Sequence, residues 1–174
     1  MSDAVTRDDA PAAQRPKVSP AIKSRFISHG TLASADLEKT RDFYEQFLGL
    51  EVTRTSKISM MVRLGGKHVY AVVKSRIDGP QPRLNHNGID VESNAEVDDA
   101  YRSCKEQAEK WGLHEIEEPT VRHGTYSFTF RDLDRNCWEI LSNPEGGYTW
   151  IFEQGDLSGK GHWDKDFLEK RPKN

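Results

Sequence analysis

Leu84-Asn85-His86-Asn87-Gly88-Ile89-Asp90-Val91 reads as a strand, and the order of elements after it repeats the order before it. Downstream, apolar residues from Val97 to Trp111 recur at helical spacing, and Gly112 closes that helix. Three strands are then expected over His114 to Glu117, Gly124 to Phe130 and Asn136 to Leu141. Upstream the same order is already present. Phe26 to Ser34 reads as a strand, and Asp36 stands where a helix N-cap belongs. Leu37, Phe43, Tyr44, Phe47 and Leu48 then form one helix face, which Gly49 ends. Leu50 to Arg54, Ile58 to Leu64 and Lys67 to Lys74 come next as strands, with Gly65-Gly66 as a hairpin turn.

The chain therefore reads β-α-β-β-β twice, an α+β fold of two βαβββ modules. Each module has one sheet face to bury, and two of them in one chain are expected to pair into a cup around a shared cavity. The modules span about residues 25–75 and 84–142 of a domain over 23–143, joined by a polar loop at Asp78-Gly79-Pro80-Gln81-Pro82. Residues 1–22 hold three prolines and almost no large apolar side chains, so a disordered tail is expected there. Residues 144–174 are rich in Gly and charge but carry Tyr148, Trp150, Ile151, Phe152, Trp163 and Phe167. That aromatic content predicts an arm packed over the domain, of this subunit or of a second one.

Composition removes several classes of function. The net charge of −3 over 174 residues and a pI of about 6.1 invite neither nucleic acid nor an anionic membrane surface. No run approaches the roughly 18 apolar residues of a membrane span, and the N-terminus lacks a signal peptide's apolar core. A cytoplasmic protein is expected, and Cys104 and Cys137 are expected to be reduced there.

The chemistry sits at matching places in the repeat. His29 and His86 fall in the first strand of each module, and Glu139 lies in the last strand between Trp138 and Ile140. A carboxylate among bulky apolar residues is costly to bury alone, and a divalent cation would offset that cost. Two imidazoles and one carboxylate suit Fe, Mn, Co, Ni or Zn, and three protein ligands leave open positions for substrate. Singly, each residue also has a structural explanation, as a hydrogen-bonded strand His or a solvent-facing Glu.

Three segments resemble the vicinal oxygen chelate superfamily, which includes glyoxalase I, extradiol dioxygenases and fosfomycin resistance proteins. They are Ile27-Ser28-His29-Gly30-Thr31-Leu32-Ala33-Ser34-Ala35-Asp36-Leu37, then Thr40-Arg41-Asp42-Phe43-Tyr44-Glu45-Gln46-Phe47-Leu48-Gly49-Leu50, and Phe130-Arg131-Asp132-Leu133-Asp134-Arg135-Asn136-Cys137-Trp138-Glu139-Ile140. In the last, Leu133 and Arg135 replace the Pro and Gly usual in the family. The resemblance implies one divalent metal per chain, held by His29, His86 and Glu139, a small-molecule substrate, and a homodimer. Two His and one Glu look like the facial triad of Fe(II) oxygenases, so an Fe(II) extradiol-type dioxygenase acting on a catechol-like molecule is the leading expectation. The alternatives are a non-redox isomerase, lyase or thiol transferase, or a non-catalytic protein that sequesters a ligand.

Strand parity nominates the surroundings. Thr31 shares the face of His29 and is a candidate substrate contact, as is Thr129, which stands where the family often carries a pocket Tyr. His68 and Tyr70 share a face of the fourth strand; His68 is expected to touch substrate and Tyr70 to manage protons, unless they form a hairpin shoulder and an aromatic pair. His123, just before a strand, is the other acid–base candidate, with a surface-loop His as its alternative. Arg63 and Arg131 have forks suited to a carboxylate, although outward-facing strand arginines are common. Cys137, on Glu139's side of its strand, reads as a pocket thiol or a small filler.

Overall fold

The computed structural model describes residues 20–22, 24–75, 79, 81–122, 124–154 and 171–172. Most of the expected N-terminal tail, His123, Trp163 and Phe167 lie outside these residues.

Asp36 caps helix α1 (Leu37–Gln46) as expected, its carboxylate accepting from the N–H groups of Glu38 and Lys39. Leu37, Thr40, Phe43 and Tyr44 are the buried stripe of that helix. It succeeds β1 (His29–Ser34) and leads into β2 (Glu51–Ser56), β3 (Ser59–Arg63) and β4 (Val69–Lys74). In the second module β5 (His86–Val91) leads to α2 (Asn94–Glu106), whose N-cap Ser93 accepts from Glu96 N–H. The expected single helix to Trp111 is broken at Gln107 into α2 and the short α3 (Ala108–Trp111), which Gly112 ends in the left-handed region.

The two sheets have the same topology, β1-β4-β3-β2 and β5-β8-β7-β6, with the first strand of each module parallel to the last. Here β6 is Thr120–Arg122, β7 Thr125–Arg131 and β8 Cys137–Ser142. The strand expected at His114 to Glu117 is instead an irregular flank of β7, bonded through the His114–Arg131 bridge and the Glu117 N–H to Thr129 carbonyl. Its backbone is bent by the positive φ of Glu115. Beyond β8, Thr149–Gln154 forms α4, and Trp150 is buried.

Both sheets put one face into a single core. Leu32, Met60, Val62 and Val72 come from the first module, and Phe128, Phe130, Trp138 and Ile140 from the second. The halves meet at Tyr44 edge-on to Trp138 (5.6 Å), Tyr70 beside Trp138 (6.5 Å) and Phe43 beside Trp111 (5.8 Å). A buried polar latch reinforces the seam. Asp132, fully buried in the β7–β8 turn, accepts from Tyr44 Oη, Trp138 Nε1, the Asn136 amide side chain, and the N–H groups of Asp134 and Asn136. Asp134 accepts from Thr40 Oγ1 and the Ala35 N–H, and Asn136 Nδ2 donates to the Ala33 carbonyl. Burial pushes the Asp132 carboxyl up to about 6, and burial beside Asp132 raises the Tyr44 phenol well above its usual value. Among the described residues no helix is long and apolar enough to cross a membrane.

Candidate metal centre on the outer sheet face

Side chains paired across neighbouring strands share a face, so the register decides which residues can meet. His86 pairs with Cys137, Gly88 with Glu139, and Thr129 with Glu139. His86, Cys137, Glu139, Ser127 and Thr129 therefore stand on the face of the second sheet turned away from the common core.

There His86 Nε2 lies 3.1 Å from Glu139 Oε2. His86 Nδ1–H donates to the Arg83 carbonyl at 2.7 Å, which leaves Nε2 with its lone pair in the neutral ring. Glu139 Oε1 accepts from Ser127 Oγ at 2.7 Å, so one carboxylate oxygen is held and the other faces the imidazole. Two ligand atoms about 2.1 Å from one metal and about 90° apart would be about 3 Å from each other. The pair thus has the spacing, tautomer and supporting bonds of two adjacent metal ligands.

His29 is not with them. It is exposed at the start of β1, its Nδ1 2.8 Å from Ser28 Oγ, on the outer face of the other sheet. Among the described residues no three His, Cys, Asp or Glu side chains are grouped closely enough to hold a metal ion. The expected cup around three ligands is therefore not closed by the described residues of one chain. The physical reason is the packing of the helices: α1 lies against β2 and β4 and α2 against β5, β7 and β8, so each sheet buries the face opposite to its candidate ligands and leaves the ligand face free.

Thr129 stands beside Glu139, donating from Oγ1 to Glu117 Oε2 at 2.8 Å. Thr31 is exposed on the His29 face and lines a cleft of about 590 Å³ with Ala33, Val73, Asn85, His86 and Cys137. Burial pushes the Cys137 thiol up, so it is not poised as a thiolate. Tyr70 and His68 share a face as expected, but it is not the face of His29. Tyr70 pairs with Gly30, its ring so close that a Cβ on Gly30 would lie 2.6 Å from Cε1. It belongs to the core edge beside Trp138, and burial raises its phenol. His68 packs edge-on to it at 5.1 Å and donates from Nδ1 to the Ile27 carbonyl. Neither lies on the cup side expected from the sequence, because period-2 alternation relates residues within a strand without saying which face is covered.

Other side chains of this face were not nominated by strand parity. Ser127 was findable, because it lies two residues from Thr129 on the same strand. Glu115 and Glu117 were not, because the irregular flank of β7 obscures their parity. Arg83 pairs with both of them, Arg122 pairs with Glu117, and Arg131 donates to Glu115 at 2.8 Å. The hydrogen bond from Arg131, with Arg83 nearby, holds the Glu115 carboxyl below its usual value despite an opposing desolvation effect.

The uncharacterized protein Ta1105 of Thermoplasma acidophilum is 29% identical to this chain over 87 residues, covering 40% of the chain. The chain spans 44% of the length of that curated relative. Among solved structures, hypothetical protein SA1046 from S. aureus has a TM-score of 0.54 at 26% identity, covering 71% of this chain and 95% of that one. The fosfomycin resistance protein FosX from Listeria monocytogenes shares the fold at a TM-score of 0.58 and 20% identity, covering 71% and 98%. Residues 26–140 match the model of one family, and the chain belongs to it: the Glyoxalase/Bleomycin resistance protein/Dioxygenase superfamily.

Proposed function

We propose that this protein is a divalent-metal-dependent enzyme that binds a small, polar, oxygen-rich substrate through two neighbouring oxygens. His86 and Glu139 of one copy and His29 of a second copy would hold the metal in a homodimer. The observation that carries this reading is the His86–Glu139 pair, 3.1 Å apart, with its supports from the Arg83 carbonyl and Ser127. When bound, the metal supplies Lewis acidity to the substrate oxygens.

The chain's own residues do the rest. Arg83 fixes the His86 tautomer, and Ser127 keeps Glu139 in one orientation. Thr129 and Glu117 offer a hydroxyl and a carboxylate beside the ligands, and the part-exposed Arg122 draws an anionic substrate group. Glu139's counterpart in the first module is Ala71, since Thr31 pairs with Ala71 as Gly88 pairs with Glu139. No carboxylate comes from that position, so coordination sites are left for substrate.

The polar lining of Ser127, Thr129, Glu117 and Arg122 favours non-redox chemistry, an isomerisation, lysis or thiol addition, over an aromatic substrate. Ring cleavage by Fe(II) is the second reading, favoured by three protein ligands that leave room for a chelating diol and O₂. The test is metal titration of the full chain with Co(II), Mn(II), Zn(II) and anaerobic Fe(II), then oxygen uptake with a catechol panel and turnover with hydroxyacid, hemithioacetal and epoxide-plus-thiol panels. One metal per chain and turnover without oxygen uptake are expected. Oxygen uptake with Fe(II) and a diol would transfer the reading to ring cleavage. Absence of metal binding, with unchanged melting on metal addition, would leave a ligand-sequestering protein.

A further inference from the structure

The family match ends at residue 140, and the chain beyond β8 returns across the outer face of the second sheet. The Asn143 N–H donates to Asp90 Oδ1 at 2.8 Å. Gly147 lies against the same carboxylate, where an added Cβ would be 3.8 Å from Asp90 Oδ2. Tyr148 Oη donates to Thr125 Oγ1 at 3.4 Å, and Trp150 is buried. Asp90 and Thr125 belong to the ligand face: Asp90 alternates with Gly88 and His86 along β5, and Thr125 with Ser127 along β7.

Among the described residues, this cover lies on the second module. Leu141 is 3% exposed although it points to the outer face, whereas its counterpart Val73 is only half-buried. Alternate residues of a strand are about 7 Å apart, so the Tyr148 phenol stands about one such step from the Ser127 hydroxyl that holds Glu139. That is the reach of a small molecule chelated at Glu139. Tyr148 is itself 44% exposed, and its long bond to Thr125 is easily exchanged for one to a ligand.

We propose that the segment from Pro144 to Phe152 is the end wall of the substrate cup and that Tyr148 is a specificity-determining residue. The ring limits the length of the substrate, and the phenol donates to the polar group furthest from the metal. This rests on the metal centre proposed for His86 and Glu139, so its test has one part with metal and one without.

In the first part, the Co(II)-loaded full chain is titrated with acetohydroxamate and with the bulkier benzohydroxamate, both O,O-chelators, by visible absorption. Tyr148→Ala should keep Co(II) affinity and shift the preference toward benzohydroxamate by about tenfold, while Tyr148→Phe should keep the size preference. A preference that moves by less than about twofold in Tyr148→Ala would overturn the proposal. In the second part, Thr125→Cys is introduced alone and together with Tyr148→Ala, and iodoacetamide labelling of position 125 is tracked by peptide mass spectrometry without metal. Labelling should be about tenfold faster when Tyr148 is Ala; equal rates overturn the wall. Failure of the wild-type chain to bind Co(II) would sink the metal reading instead, and the labelling rates would then decide the wall by themselves.

Discussion

The two modules share strand order and register, yet their outer faces have opposite character. In the first, His29, Thr31, Ala33, Ala71, Val73 and Met61 make a small, partly exposed surface. In the second, the corresponding positions are His86, Gly88, Asp90, Glu139, Leu141 and Thr129, a largely polar surface in which Leu141 and Thr129 are buried while His86, Gly88 and Asp90 stay exposed. The β3–β4 turn, with Gly65-Gly66, is exposed, whereas its counterpart Asp132 to Asn136 is largely buried in the seam. One scaffold is thus present twice, and the polar side chains of the outer face are concentrated on the second copy. The first module carries one exposed His on that face, His29.

The division is broken most directly at the ligands. Glu139→Ala and His29→Ala should each weaken Co(II) retention by about a hundredfold or more, as read by isothermal titration. Mixing the two variants after subunit exchange should restore tight binding in part, because heterodimers regain one complete site. No recovery, despite demonstrated exchange, would refute the two-copy centre.

Next in size is the turn. Asp132→Ala orphans the Tyr44 hydroxyl, the Trp138 indole N–H and two backbone N–H groups, and should lower unfolding free energy by about 3 kcal/mol or more in urea titrations. Leu64→Ala, in the exposed counterpart turn, should change stability by no more than about 0.5 kcal/mol. The same Asp132 sets a pH dependence. Its folded-state pKa is raised, so its contribution is full below the ordinary carboxylate range and is lost as pH rises through about 6. Asp132→Asn should flatten that decline between about pH 4 and 7, even though the variant is less stable throughout.

Arg131 and Arg63 close β7 and β3 at equivalent places and sharpen the contrast further. Arg131 is 5% exposed and bonds Glu115 and the Arg135 carbonyl, so Arg131→Ala should destabilise by about 3 kcal/mol. Arg63 pairs with Glu51 in the open, and Arg63→Ala should shift the melting curve by less than about 1 kcal/mol. The smallest effect is a gain. Arg135 has φ +64, the left-handed conformation for which the family pattern supplies glycine. Arg135→Gly should therefore stabilise the chain by about 0.5–1 kcal/mol in the same titrations.

The βαβββ repeat, the Asp36 cap, the Gly112 stop and the hairpin at Gly65-Gly66 were legible in the amino-acid order, because each depends on local periodicity or one residue's backbone preference. His86 and Glu139 were grouped by their places in the repeat and by the family resemblance, and Thr129 by the position where the family often carries a Tyr; the register of the folded sheet is what sets the three side by side. The faces taken by Tyr70 and His68, the separation of His29 from its expected partners, the burial of the Asp132 carboxylate and the course of the arm past Thr125 were decided only by tertiary structure. Each depends on which sheet face is withdrawn from water. That choice is made by the joint burial of Tyr44, Trp138, Phe43 and Trp111 across the seam between modules, a long-range term that no local pattern encodes.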